Sequence, residues 1–243
     1  MPSTAPSDFA PDSAPARLIR TMAHVSRLHE ARAADATLAA ALERLAAWQA
    51  RRLRRTYADL AAQPRYAGAV DFFETDLYGG ENFARRDADL ARIVPIMVRM
   101  LPEGVIAAIA QAMELNALSQ ELDRALLAHL PRRDGPFSVA EYCEAYRRMD
   151  DRPGRERQIR LTGEIGAALD GFVRTPFIRT ALFMMRTPAH LAGMGVLHDF
   201  LERGFAAFHR MGGAALFLAT ITARETALLD AIMSGDDAPF PTP

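Results

Sequence analysis

An all-α fold, a multi-helix bundle of about ten helices, is predicted by three features of this 243-residue sequence. Apolar residues recur at steps of three and four along almost the whole chain, which is the spacing of one helix face. Ala, Arg, Leu and Glu are frequent and β-branched residues are few, a composition that favours helices. No run of alternating apolar and polar residues indicates a strand.

Proline and glycine divide the first half of the chain into predicted helices. Gly79 and Gly80 end the third helix, because glycine tolerates the left-handed geometry that follows a helix end. Asn82 can cap the fourth helix, and Pro95 inside it should kink it by removing one helical hydrogen bond. Pro102 can begin the fifth. The expected spans are about 15–33, 36–62, 66–77, 82–101, 102–113 and 118–130.

The second half begins after the clearest break in the chain, PRRDGP at 131–136. Ser138 and Glu141 then form a capping box, in which each side chain bonds the other residue's backbone amide. Arg-Thr-Pro occurs at 174–176 and at 186–188, and we interpret both copies as helix starts, with Thr as the cap and Pro in the first turn. The expected spans are about 138–149, 159–172, 176–186, 188–211 and 217–232.

The break at 131–136 suggests two helical lobes, residues 17–130 and 137–235, packed together as one unit. Residues 1–16 and 236–243 are rich in Pro and small or acidic residues and are expected to be flexible tails. Residues 1–16 lack the apolar block of a secretory signal. No stretch reaches the ~18 apolar residues of a membrane span. We therefore expect a cytoplasmic protein.

The charged residues nearly balance, with 29 basic and 30 acidic residues and a net charge of −1. All the basic residues are Arg, which is typical of a GC-rich bacterial genome. The near-zero charge argues against a whole-domain surface for nucleic acid. The densest basic run, Arg51–Arg55, is expected to be a solvated or acid-paired helix face, so nucleic acid is not an expected partner.

Residues 72–78 read FFETDLY, and this segment resembles the signature of the bacterial FFLEELY-motif proteins. Phe72, Phe73, Leu77 and Tyr78 match that signature. Position 76 is a conservative replacement, and positions 74 and 75 differ. The downstream stretch NFARRDADL at 82–90 also resembles sequences of these proteins. That family is functionally uncharacterised, so the resemblance implies no activity and no catalytic residues.

The same aromatic residues have two physical interpretations. Phe73 and Leu77 are four residues apart and share a helix face, so core packing is the first interpretation, since large aromatic side chains dominate core energetics. The second is a ligand-binding pocket lined by Phe72, Phe73 and Tyr78. Arg224 extends that hypothesis, because it lies in phase with an apolar stripe and can bind an anion through its planar guanidinium.

His198 and Glu202 are the strongest candidates for catalytic chemistry, because a His and a carboxylate four residues apart can act as a base and its orienting acid. Arg224 completes this hypothesis. The alternatives are structural: His198 pairs with Glu202 at the edge of the core, and Arg224 pairs with a carboxylate such as Glu202 or Asp199.

Motifs for metals and cofactors are missing. There is no Glu-x-x-His of a di-iron bundle, no His-Glu-x-x-His, no phosphate loop and no Gly-x-Ser-x-Gly. The single Cys, Cys143, excludes an internal disulfide and is expected to be a buried structural thiol. We therefore expect no metal site and no cofactor.

Three function classes stay open. The leading one is a non-catalytic binding or interaction scaffold that forms a homodimer. The second is a binder of an apolar or anionic small molecule in a pocket lined by Phe, Met and Tyr, since 13 Phe and 11 Met suit an adaptable pocket. The third is an enzyme that uses His198, Glu202 and Arg224.

Overall fold

The computed structural model of the chain describes residues 9–77, 83–132 and 134–242. The described residues form eleven α-helices and one π-helical segment, with no strand among them, so the all-α prediction is confirmed. The elements are α1 (Ala14–Ala33), α2 (Ala36–Thr56), α3 (Ala58–Ala61), α4 (Pro64–Phe72), the π-helical segment (Phe73–Leu77), α5 (Phe83–Met100), α6 (Glu103–His129), α7 (Val139–Met149), α8 (Arg152–Val173), α9 (Pro176–Leu191), α10 (Gly195–Met211) and α11 (Ala215–Met233).

Side-chain caps fix several helix starts. Asp35 accepts from the Leu38 amide at 2.9 Å, and Asp151 accepts from the Gly154 amide at 2.9 Å. The capping box before α7 is confirmed, because the Ser138 hydroxyl accepts from the Glu141 amide and the Glu141 carboxylate accepts from the Ser138 amide. These caps satisfy amides that have no partner within the helix. The predicted cap Asn82 lies outside the described residues.

Several predicted helix boundaries are wrong. The predicted second helix, 36–62, is divided at Tyr57 into α2 and α3. The fifth and sixth predicted helices form one helix, α6, since the intervening residues 114–117 contain neither Pro nor Gly and nothing interrupts the hydrogen-bond ladder. Pro188 does not begin a helix but lies inside α9. Helix α9 continues for one further turn to Leu191, and the break falls at 192–194, where Gly193 adopts a φ of 75°.

The core consists of three apolar clusters. The first joins the end of α2 and α4 to α8, α10 and α11, and includes Tyr57, Phe208 and Phe217. The second surrounds Trp48 on α2 with residues of α6 and α7, among them Cys143. The third packs α1 against α5 and α6. The first two clusters each contain residues from both sides of 131–136, so the two parts of the chain share core.

Both ends of the described chain take part in packing. Helix α1 begins at Ala14, and both Ala14 and Ala16 are buried. Phe240 is also buried, and its ring lies 6.0 Å from that of Trp48 and 6.2 Å from that of Tyr142. Among the helices of the described ranges, none is both long enough and apolar enough to cross a membrane.

Candidate functional site

Residues 72–77 of the FFETDLY segment form the end of α4 and the π-helical segment. They contact the first turns of α5 and helix α10. The Phe72 ring packs against that of Phe200 on α10 at 5.3 Å, while the Phe73 ring lies 6.0 Å from Phe217 on α11. Gly204 allows this approach, since a Cβ there would lie 2.8 Å from Cζ of Phe72. Tyr78 lies outside the described residues. Phe72 is buried and Phe73 half-buried, so both belong to core packing.

Polar contacts hold the π-helical segment to its neighbours. The Arg203 Nε donates to both carboxylate oxygens of Asp76 at 3.1 Å, and this pairing raises the pKa of Arg203. Arg86 on α5 donates to the Asp76 carbonyl at 3.4 Å and lies over the Phe200 ring at 4.4 Å. Burial lowers the pKa of Arg86, although Asp87 opposes this effect. The described parts of the two stretches, 72–77 and 83–90, are therefore neighbours in space.

Asp87 is the most buried charged group of this region, and three helices supply its donors. His29 on α1 and Asn116 on α6 bond the same carboxylate oxygen, at 2.9 Å and 2.6 Å. Arg86 on α5 approaches the other oxygen at 3.4 Å. This cluster was not predicted from the sequence. A signal was present, because Asp87 lies in phase with Leu90 and the apolar stripe of α5, where a carboxylate needs partners.

His198 and Glu202 lie together on α10, with His198 Nε2 3.4 Å from a Glu202 oxygen. Arg186 on α9 donates to the other oxygen of Glu202 at 3.0 Å and 2.6 Å. One turn further along α9, His190 bonds Asp199 at 2.9 Å. These contacts link α9 to α10. Over the described ranges, no three His, Cys, Asp or Glu side chains are grouped so that they could hold a metal ion.

Arg224 has partners in a different part of the molecule. Its two terminal nitrogens donate to the two oxygens of Asp59 at 2.7 Å and 2.6 Å, so it pairs with α3 and not with Glu202 or Asp199. The pairing raises the pKa of Arg224 and lowers that of Asp59. The structure brings His198 and Glu202 together, but it gives Arg224 no contact with either.

The basic run contributes one buried arginine. Arg52 donates to both oxygens of Glu225 at 2.6 Å and 3.3 Å, and the Tyr57 hydroxyl donates to the first of these oxygens at 2.7 Å. Burial opposes ionisation of Glu225, but Arg52 and Tyr57 outweigh it and hold the pKa of Glu225 below its usual value. The opposite holds for Asp123, whose pKa is raised by burial. This polar network lies inside the bundle.

A small cavity of about 60 Å³ lies beside this network. Phe73 and Phe217 form apolar walls, and Glu225, Tyr57 and Thr162 supply polar atoms. Phe73 of the FFETDLY segment and the ionised carboxylate of Glu225 therefore line the same cavity. Arg224 is adjacent in sequence to Glu225 but does not line the cavity.

Helix α9 is the least covered long helix of the described chain. Among its described side chains only Ala189 is buried. Phe183 is 71% exposed, Met184 69% and Leu191 85%. At about 100° per residue these three lie on the side of the helix opposite Ala189. Exposed Thr180 and Thr187 lie on the same side, and we call the five residues together the α9 face.

Comparison with known proteins identifies one family. Its model, described as a domain of unknown function (DUF8198), matches residues 28–239. The chain belongs to this family. The matched range includes His29, the FFETDLY segment, the Asp87 cluster and all of α9. No curated protein and no solved structure matches the chain. Membership in DUF8198 supplies no activity, because the function of this domain is unknown.

Proposed function

We propose that this DUF8198 protein is a non-catalytic interaction scaffold that binds a protein partner through the α9 face. The exposure of Phe183, Met184 and Leu191 on one helix carries this proposal. At about 200 Å² for a large side chain, these three leave roughly 400 Å² of mainly apolar surface uncovered. A patch of this size lies within the ~300–600 Å² of the largest patch on a typical monomer, which is often functional.

The way α9 is attached supports the same conclusion. Arg186 and His190 bind Glu202 and Asp199 of α10, and Ile178 and Leu182 pack against the core as the apolar stripe of a surface helix does. Phe183, Met184 and Leu191 are a second set of apolar side chains, on the side of α9 that the bundle leaves exposed. A partner that covers the α9 face would remove its apolar surface from water, which is energetically favourable.

Crosslinking in cells tests the proposal. A photoreactive amino acid at Thr187, in the middle of the α9 face, should give a discrete protein adduct. The same amino acid at Ala128, an exposed position on α6, should give none. Met184→Ser should abolish the adduct because it removes apolar contact area. Met100→Ser, at a methionine that is 76% exposed on α5, is the matched control and should leave it intact.

The proposal fails if position 187 gives no adduct or if positions 187 and 128 capture the same proteins. Loss of the adduct in the Met100→Ser variant would also contradict it, because the adduct would then not depend on the α9 face. Circular dichroism of each variant verifies that the helices are still formed.

The cavity beside Glu225 favours a second candidate, the binding of a small molecule. The hydroxyl hydrogens of Tyr57 and Thr162 are already donated to Glu225 and to the Gln158 carbonyl. Glu225 is ion-paired with Arg52, and Arg224 with Asp59, so no cation is directed into the cavity for an anion. These contacts favour a short uncharged molecule with one hydrogen-bond donor, such as an alcohol.

Calorimetry distinguishes this candidate from its alternatives. Butan-1-ol should bind and butyrate should not, because the cavity offers acceptors next to an ionised carboxylate. Val70→Phe fills the cavity from α4 and should abolish binding, whereas Ile96→Phe, at an exposed site on α5, should not. Binding of butyrate in preference to the alcohol would contradict the candidate.

An enzyme that uses His198, Glu202 and Arg224 is the weakest of the three classes, because Arg224 is engaged with Asp59. Mutation of His198 tests this class directly: an activity that survives His198→Ala would not depend on it.

We further propose that FFETDLY is a divergent form of the FFLEELY signature, on the basis of its four matching positions.

A further inference from the structure

We infer that the partner on the α9 face is a second copy of this chain, with the two α9 helices packed antiparallel about a twofold axis. This inference rests on the proposed function and specifies its partner. Three observations support a self-complementary contact: the order of large and small side chains along the α9 face, the position of an exposed arginine on the neighbouring flank of the helix, and the area that two copies would cover.

Large and small side chains alternate along the α9 face. Thr180, Met184, Thr187 and Leu191 follow one another at steps of four, three and four. In an antiparallel pair centred between 185 and 186, Thr180 lies opposite Leu191 of the second copy, and Met184 lies opposite Thr187. Met184 and Leu191 then each meet a small side chain, which is the arrangement that lets two helices interdigitate. A parallel pair would place Met184 against Met184 and Leu191 against Leu191.

The charges on one flank of α9 fit the same geometry. Arg179, near the start of α9, is exposed, and within the described part of the chain it makes no side-chain hydrogen bond or ion pair. At about 100° per residue Arg179 lies on the flank of Arg186 and His190, which face α10. At the other end of that flank is Asp199, whose side chain is 43% exposed beside His190.

A twofold axis perpendicular to both helices places the same flank of each copy on the same side of the pair. Because the helices run in opposite directions, the start of one flank lies next to the end of the other. Arg179 of each copy therefore comes to lie beside Asp199 of the other, so the contact contains two identical ion pairs. The centre of the α9 face carries no charge, which means that no like charges are forced together there. No other charged group of α9 is left without a partner, since Arg186 and His190 already contact Glu202 and Asp199.

The area is adequate for self-association. The three large side chains of the α9 face supply roughly 400 Å² per copy. A standard stable interface buries about 800 Å² on each side. The two threonines and the charged flank add to the apolar area, which places the contact among the smaller interfaces. A contact at the lower end of this range corresponds to a dimer that dissociates on dilution.

The test uses the full chain in sedimentation velocity and light scattering over a range of concentrations. Wild type should change from monomer to dimer as the concentration rises. Arg179→Glu and Asp199→Arg should each raise the dimer Kd by about tenfold, because each change places two like-charge pairs in the contact. The double variant Arg179→Glu/Asp199→Arg should restore the Kd to within about threefold of wild type. Arg99→Glu, on α5, is the matched control and should have no effect.

Each alternative result has a defined meaning. A chain that stays monomeric while position 187 crosslinks a different protein overturns this inference and leaves the proposed function standing. A monomer without any adduct contradicts both. A dimer whose Kd is not rescued by the charge reversal overturns the antiparallel arrangement. Thermal unfolding of every variant separates a loss of dimer from a loss of fold.

Discussion

Helices α9 and α10 follow one another in the chain, have 16 and 17 residues and both contain Phe, Leu and Met, yet the bundle covers them to different degrees. Helix α10 buries seven residues, from Leu197 to Met211, between α4, α5 and α8. Helix α9 buries Ala189 alone among its described side chains. Two neighbouring helices of similar composition can therefore have different roles. Coverage by the rest of the fold, and not composition, separates a core helix from a helix with an exposed apolar face.

The largest expected effect compares one phenylalanine from each helix. Phe208→Ala in α10 removes a ring that is 2% exposed and should lower the free energy of unfolding by about 3–5 kcal/mol. Phe183→Ala in α9 removes a ring that is 71% exposed and should change it by less than about 0.5 kcal/mol. Urea denaturation of dilute protein measures both values. Similar losses for the two variants would mean that the monomer also covers α9.

A buried ion pair provides the second test. Glu225→Gln removes the carboxylate partner of Arg52 and should lower stability at pH 7 by about 2 kcal/mol, a reduced value because the Glu225 side chain is 24% exposed. The pKa of Glu225 lies below its usual 4.5 in the folded state. Its contribution is therefore complete above pH 4.5 and is lost as the pH falls through the lowered pKa.

Urea denaturation between pH 3 and 7 measures this dependence. The variant should lose less stability than wild type as the pH falls, because the group that takes up a proton on unfolding is gone. Identical slopes for the two proteins would show that Glu225 is not the group responsible.

A substitution at Gly204, where α10 is closely packed, should have an intermediate effect on stability. Gly204→Ala places a methyl group 2.8 Å from Cζ of Phe72 and should destabilise the protein by about 1–3 kcal/mol, because the ring must move. Gly171→Ala on α8 is the matched control, since a methyl group there meets nothing within 4 Å. This variant should instead be stabilised by about 0.5–1 kcal/mol, as expected for alanine in a helix. Thermal unfolding distinguishes the two signs.

The smallest effect concerns the attachment of α9 to α10. Glu202→Gln weakens the contact with Arg186, whose side chain is 60% exposed, and should cost about 0.5–1 kcal/mol. Because the contact joins α9 to the bundle, amide hydrogen exchange should accelerate in α9 and remain unchanged in α10. Equal acceleration in both helices would show that they open as one unit.

The sequence predicted the features of the fold that are local. The α7 capping box and the stripe of α11 depend on residues a few positions apart, so their spacing was sufficient. The wrong boundaries have a physical reason. Pro188 fits a helix start and also fits the last turns of a helix, where losing one hydrogen bond is tolerable, and spacing does not distinguish these cases.

The candidate site was predicted only in part. The in-phase position of Arg224 indicated that it needs a partner, but Asp59 lies 165 residues away and no periodicity connects them. The Asp87 cluster was missed for the same reason, since His29 is 58 residues from Asp87. The exposure of the α9 face could not be predicted from the sequence either. An apolar stripe shows that a face exists, and only the packing of the other helices decides whether it is covered.

The chain contains one Trp and one Cys, and both lie in the cluster around α2, α6 and α7. Burial raises the pKa of the Cys143 thiol to about 11, so a thiol reagent has no reactive thiolate to attack until this cluster opens. Trp48 fluorescence and Cys143 labelling thus form a pair of natural probes for one event, the opening of this cluster. The α9 face contains neither residue. Association through α9 should therefore be invisible to both probes, which allows folding and assembly to be followed separately in the unmodified protein.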